Sequence, residues 1–398
     1  MKNGWPIRAL GELCTIRPPK SEARARLGLG SLVSFAGMED LGIDRKFLRP
    51  GQVRTFGAVN GSYTYFAEGD VLLAKITPCF ENGKLGIAAG LRNGVGFGSS
   101  EFIVFRPGAE LDNEFLYYYL SRPDFRIEGA ARMGGAVGQQ RVSKDFIENY
   151  PVPLPPISDQ RRIVAILDKA FAAIATAKAD TEKNLQNARA LFESQLQAAF
   201  TQRGKGWAEK KLGQVCAITS TLVDPRKKEF LELLHVGAGN IESLKGALVQ
   251  LKTAREEALI SGKFLFDESM VLYSKIRPYL RKVARPSFSG LCSADMYPLA
   301  PLPNQITRDY LFHLLLSQHF TDYAIQGSAR AGMPKVNREH LFEFRLWLPP
   351  LKTQAELAAR LDALAAEAQR LESIYQKKVI PLEELKKSIL HEAFTGAL

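Results

Sequence analysis

The feature that most constrains this chain is that it is written twice. Trp5, Leu10, Gly11 and Cys14 return as Trp207, Leu212, Gly213 and Cys216, 202 positions later. The run Val71-Leu72-Leu73-Ala74-Lys75-Ile76-Thr77-Pro78 is answered by Val271-Leu272-Tyr273-Ser274-Lys275-Ile276-Arg277-Pro278 at an offset of 200. From Gly138 and Val142 (matching Gly332 and Val336), through Leu154-Pro155-Pro156 (Leu348-Pro349-Pro350), to Ala199-Phe200 (Ala393-Phe394), the offset stays at 194. A repeat of this length means one structural plan used twice. Loops absorb insertions, whereas a packed helix that must keep its face and length does not. The drifting offset therefore marks two variable heads, and the gapless stretch marks a spacer of fixed length behind each.

The spacers read as long helices. Pro155-Pro156 and Pro349-Pro350 end a strand-like segment, and Asp159 and Thr353 stand where an N-cap is wanted, Thr353 forming a capping box with Glu356. In the first, Ile163, Leu167, Ala170, Ile174, Ala177, Thr181, Leu185, Ala188, Phe192, Leu196 and Phe200 recur at spacings of three and four. The second repeats that seam from Leu357 to Phe394, broken once by Lys386 with Leu385 beside it. Spacing near 3.5 with charges between predicts coiled-coil packing. Each helix of about 40 residues would span about 60 Å. The simplest compact solution packs them antiparallel with a head at each end. Pro381 is expected to bend or break the second helix near Lys377 to Ile380, since it lacks an N–H and its ring clashes.

The heads read as short strands with Gly and Pro turns, interrupted by buried helical stretches at Glu114 to Ser121 and Asp309 to Ser317. The predicted fold is α+β: two pseudo-symmetric domains of mixed, curved sheet with helices, separated by two long helices forming an antiparallel coiled coil. The spans are 1–156 (head one), 157–203 (spacer helix), 204–350 (head two) and 351–398 (spacer helix). Two basic clusters stand out in each head. Lys-Ile-x-Pro places a cation where a buried strand turns into a loop, with Lys75, Thr77 and Lys84 in head one and Lys275, Arg277, Arg281 and Lys282 in head two. The second cluster precedes each Leu-Pro-Pro: Arg132, Gln139, Gln140 and Arg141, and Arg330, Lys335 and Arg338, among glycines that permit close backbone approach. Such donors reach phosphates and base edges. The net charge of +11 and pI near 9.4 agree with a polyanionic partner. The lone carboxylates Asp70 and Glu101 (facing Asp295) have no evident partner and suggest turn or surface roles.

Catalytic signatures are missing. There is no Walker-type glycine loop, no HExxH, and no Asn-Pro-Pro-Tyr or Asp-Pro-Pro-Tyr tetrapeptide that would grip a base for methylation. His235-Val236-Gly237-Ala238-Gly239 only superficially resembles a cofactor loop. All five histidines lie in the second half, which excludes a catalytic histidine shared by both heads. The four cysteines lie far apart and predict packed or free thiols, not a disulfide framework or zinc site. No segment has the apolar length of a membrane span, so a cytoplasmic protein without membrane attachment is expected.

The order head, Leu-Pro-Pro-x-x-x-Gln (Leu154 to Gln160, Leu348 to Gln354), long helix, doubled over essentially the whole chain, resembles the DNA specificity subunit of type I restriction-modification systems. So do Trp-x-x-x-x-Leu-Gly at each head's start, Asp70-Val71-Leu72-Leu73, and the endings Gln197-Ala198-Ala199-Phe200 and Glu392-Ala393-Phe394-Thr395-Gly396. The resemblance implies two target-recognition domains, each reading half of an interrupted double-stranded DNA site, spaced by the coiled coil. It implies partners too: two methyltransferase subunits bringing S-adenosylmethionine, and ATP-driven restriction and translocase subunits using Mg. No cofactor is expected in this chain. One departure is that the chain begins almost directly at its first head, so an N-terminal conserved region would be very short. A self-sufficient methyltransferase or nuclease, a scaffold without a DNA role, and a specificity subunit whose partner fuses modification and cleavage are the competing readings.

Overall fold

A computed structural model describes residues 4–136, 138–328 and 334–395. Arg330 and Gly332 lie outside them. Two compact units result, Met1–Asp180 with Lys378–Leu398, and Thr181–Lys377.

In the first unit, the strand Ile7–Ala9 pairs antiparallel with Pro151–Pro153, so the entry and exit of head one are tied together. Its main sheet runs in the spatial order Cys14–Ile16, Phe102–Pro107, Val71–Ala74, Leu85–Ala88, Phe47–Leu48. Val71–Ala74 is buried on both faces, which is why it reads as a continuous apolar run. Val71 and Leu73 point into one core and Leu72 and Ala74 into another, the period of two expected of a strand. A second sheet, Gln52–Thr55, Leu32–Ala36, Val95–Gly98, Thr64–Ala67, contains a parallel pair between its two central strands. The expected helical stretch is the helix Asn113–Leu120, N-capped by Asp112 and buried from Phe115 to Leu120.

Head two repeats this plan within the second unit. Ala208–Lys211 pairs with Arg345–Leu348. One sheet runs Cys216–Ala217, Met296–Pro301, Val271–Ser274, Val283–Ala284. The other runs Lys252–Thr253, Leu234–Val236, Gly290–Cys292, Lys263–Phe266, with Leu222–Val223 as an additional edge. Helix Arg308–Leu316 takes Thr307 as its N-cap. Cys14, Cys216 and Cys292 are buried, and burial pushes their thiols up to about 12, so they are packed and inert.

The long helices are Ile157–Thr201 and Leu351–Thr395, 45 residues each. Both begin two residues earlier than their expected caps. Asp159 and Thr353 lie inside the first turn, because the chain turns helical directly after Pro156 and Pro350, whose carbonyls accept from the amides of Gln160 and Gln354. Those glutamines explain the Leu-Pro-Pro-x-x-x-Gln spacing. Gln160 is fully buried: its side-chain oxygen accepts from the Asp112 amide, and its nitrogen donates to the carbonyls of Glu110 and Pro155. Gln354 does the same with Thr307, Gln305 and Pro349. One side chain thus fastens each long helix to the start of its head's buried helix.

Within each unit the helices pair antiparallel. In the first, Ile163 and Leu167 share a core with Leu390 and Phe394, the Lys386 ammonium lies 5.5 Å over the Phe171 ring, and Lys178 meets Glu383 at 2.6 Å. In the second, Leu196 and Phe200 share a core with Leu361, Arg360 donates to Gln195, and Arg189 pairs with Glu372. No position of the predicted seam is exposed. Lys386 keeps its seam position by pairing with Asp44, and Leu385 beside it is 47% exposed. Pro381 does not break the second helix. It stands on the exposed face, where water can satisfy the Lys377 carbonyl that loses its partner.

Each head is also clamped to the fourth turn of its own long helix. Lys46 pairs with Glu114 and Asp168, and the Tyr118 hydroxyl donates to Asp168. Arg285 pairs with Asp309 and Asp362, and His313 Nε2 lies 2.9 Å from Asp362. The carboxylates match across the repeat, but Lys46 precedes an edge strand and Arg285 follows a different one.

Candidate nucleic-acid interface

Lys75 and Lys275 are the first residues after Val71–Ala74 and Val271–Ser274, where the strand leaves the buried sheet. Their backbones bring together the two basic clusters that lie far apart in sequence. The Lys75 carbonyl accepts from the Val142 amide and the Thr77 amide donates to the Gln140 carbonyl. In head two, the Lys275 carbonyl accepts from Val336 and the Arg277 amide donates to Pro334. The bridges Ile76 to Arg141 and Ile276 to Lys335 sit at the centre of these contacts.

The side chains then build the same ionic cluster twice. Lys75 Nζ donates to the Ser100 carbonyl at 2.8 Å and stands 3.8 Å from Glu101. Arg141 grips Glu101 with two parallel bonds, Nε at 2.9 Å and Nη2 at 2.8 Å. In head two, Lys275 Nζ donates to Ala294 at 2.6 Å and stands 3.8 Å from Asp295, which pairs with Lys335 at 3.0 Å. Burial pulls both lysines below the ordinary value, the carboxylate opposes this, and nearby cations (Arg17 and Arg141, Lys335 and Arg338) lower them further. Arg141 holds the Glu101 carboxyl below its usual range. The result is a pair of cations spaced around one anion, able to meet phosphate oxygens or base edges.

Around this cluster, Arg132 is exposed and lies 5.2 Å over the Phe146 ring, and the exposed Gln139 lends its carbonyl to Arg141 Nη1. Gln140 is half-buried. Arg277 is exposed with a left-handed backbone, φ 49°, and Arg338 is exposed at the start of helix Arg338–Glu343. Thr77 is half-buried, its hydroxyl donating to Glu81 at 2.9 Å. Arg330 falls outside the described residues.

Three expected donors are engaged elsewhere. Arg281 is 7% exposed, and its guanidinium is held by the Leu316 carbonyl and Glu193 of the first long helix, so it is a structural cation. Lys84 and Lys282 are equivalent and half-buried, donating to the carbonyls of Met38 and Ala238. A cation preceding a buried strand can close its own head as readily as face a ligand, and sequence does not separate the two. Conversely, Glu101 and Asp295 are central to the cluster and not lone surface acids. Their matching offset of 194 was the available signal. Asp70 likewise has a partner, being 1% exposed and gripped by Arg106. Arg17, exposed with φ 58°, joins the positive field around Lys75.

The glycine loop after His235 is closed by its own contacts: Gly237 donates to Asn240, and His235 Nδ1 lies 2.7 Å from Glu257. Among the described residues, no group of three or more His, Cys, Asp or Glu side chains could hold a metal, and no helix is long and apolar enough to cross a membrane.

Comparison with known proteins places these features in context. The family description Type I restriction modification DNA specificity domain matches residues 2–186 and again 204–380. The EcoDI specificity subunit of a type I restriction enzyme from Escherichia coli is 29% identical over 321 residues, covering 72% of this chain and 70% of its own length. The EcoEI specificity subunit, also from Escherichia coli, is 31% identical over 245 residues, covering 60% and 40%. Among solved structures, a chain from work on the complex assembly and conformational transition of the type I R-M system superposes with a TM-score of 0.77 at 18% identity, over 100% of this chain and 99% of its own. The HsdS subunit from Thermoanaerobacter tengcongensis gives 0.66 at 20% identity, over 100% and 98%. Both structural likenesses concern the fold.

Proposed function

The chain belongs to the type I restriction-modification DNA specificity family, and on that premise we propose that each head reads one half of a two-part DNA site while the paired helices set the distance between the halves. The observation that carries this reading is the doubled ionic cluster: Lys75, Glu101 and Arg141 in one head, Lys275, Asp295 and Lys335 in the other. Two equivalent basic faces on one chain suit a bipartite polyanion.

In this reading, phosphate contacts position each head and loop side chains read base edges. Rigid spacing adds a second layer of specificity, since a half-site at the wrong distance cannot be engaged. The chain performs no chemistry and holds no cofactor. Two methyltransferase subunits dock on it with S-adenosylmethionine, and restriction and translocase subunits bring ATP and Mg.

The spacing is tested by adding two helical turns, in register, to both long helices. That adds about 11 Å of helix, which corresponds to about three base pairs at 3.4 Å each. Mapping methylated adenines in DNA exposed to the assembled complex should show unchanged half-sites with a longer gap. An unchanged gap would refute the ruler.

A further inference from the structure

Arg141 has five N–H groups, of which Glu101 takes two and the Gln139 carbonyl a third. The guanidinium is therefore locked in one orientation while two donors remain, on a side chain still 43% exposed. Lys75 is held the same way, one N–H on the Ser100 carbonyl and its charge beside Glu101. Glu101 itself is 23% exposed, between Lys75 at 17% and Arg141 at 43%, so it lies under the arginine and beside the more buried lysine.

We propose that Glu101 and Asp295 are positioning residues that set how sharply each head discriminates its half-site. This rests on the DNA-reading function above and deepens it. An acid on a basic DNA-facing surface weakens attraction to any phosphate backbone. Its gain is geometric: an unanchored arginine or lysine follows phosphates wherever they lie, whereas an anchored one meets a base edge only where the correct donor–acceptor pattern is presented. Head one has an arginine, whose planar fork suits bidentate contact with a purine edge. Head two has a lysine at the matching position, a point charge with freer geometry. The anchor in head one accordingly confers the sharper discrimination.

The experiment uses the full chain. Duplexes are selected from a randomised library with the unaltered protein, and affinities are measured for the selected duplex and for versions scrambled in either half. For Glu101→Gln, discrimination at one half-site falls about tenfold or more, affinity for fully scrambled duplex is equal or higher, and discrimination at the other half-site is retained. For Asp295→Asn the affected half-site is the other one, and the loss is smaller. Glu101→Asp restores part of the loss. The retained half-site shows in each variant that the protein is folded. Variants that keep full discrimination at both half-sites overturn the proposal alone, as does an equal fall in affinity for selected and scrambled duplex. An unaltered chain that enriches no sequence overturns the proposal together with the reading it rests on.

Discussion

Asp362 shows how one carboxylate can join a head to its helix. Burial by itself would raise its pKa, but hydrogen bonds from His313 and Arg285 outweigh burial and hold the carboxyl at about 2, below the ordinary 3.8. Because the folded-state pKa is the lower one, this contribution to stability is present above about pH 3.8 and is lost as pH falls toward 2. Denaturant unfolding at pH 5 and pH 2.5 should show a drop that is smaller in Asp362→Asn, where nothing titrates at that position. An equal drop in both proteins would dissociate the clamp from acid sensitivity. At this scale the sequence placed Lys75 and Lys275 at the end of an apolar strand, but did not show that each would be largely buried with its ammonium on a neighbouring carbonyl. Arg281 was not legible, because its partner Glu193 is 88 residues away, and neither was Gln160, whose three bonds exist only once the helix meets the head.

The long helices were the most legible elements. Period and fixed offset specify face and length, and the structure keeps every seam position from exposure. What the pattern did not show is how charge is arranged across the seam. Adding 194 to Lys178 gives Glu372, and subtracting 194 from Glu383 gives Arg189, so the pairs Lys178–Glu383 and Arg189–Glu372 are the same contact with its polarity reversed. A helix facing a copy of itself would oppose Lys178 to Arg189, or Glu372 to Glu383. Lys178→Glu should destabilise the first unit by about 0.2–1 kcal/mol, the range for exposed pairs, and Glu383→Lys added to it should recover most of that. A double-mutant cycle by chemical denaturation measures the coupling, and additivity would mean the pair is not coupled. The expected caps Asp159 and Thr353 failed for a local reason. Proline already has a helical φ and needs no N–H partner, so the helix starts before the side chains that resemble caps.

At the scale of the whole molecule, each compact unit is assembled from two separated stretches of chain or from the middle of it, and the boundary crosses both long helices. Head one's core includes Leu390, Ala393 and Phe394, the Phe394 ring lying 5.1 Å from both Phe115 and Tyr119. Phe394→Ala should therefore destabilise the first unit by about 3–5 kcal/mol. Amide hydrogen exchange should show faster opening across head one while head two keeps its protection. Equal loss in both would mean the units are not separately cooperative.

By itself the sequence determined the duplication, the two helices with their faces and lengths, the α+β character of the heads, and the basic segments in each, because periodicity and offset are properties of local chain order. The tertiary structure alone decided which cations are bound inward and which face out, that Glu101 and Asp295 sit between two of them, and that residues near 394 complete the core of the first head. Those are matters of which side chains meet across long sequence separations, and a charge has no fixed role until its neighbours and its access to water are set.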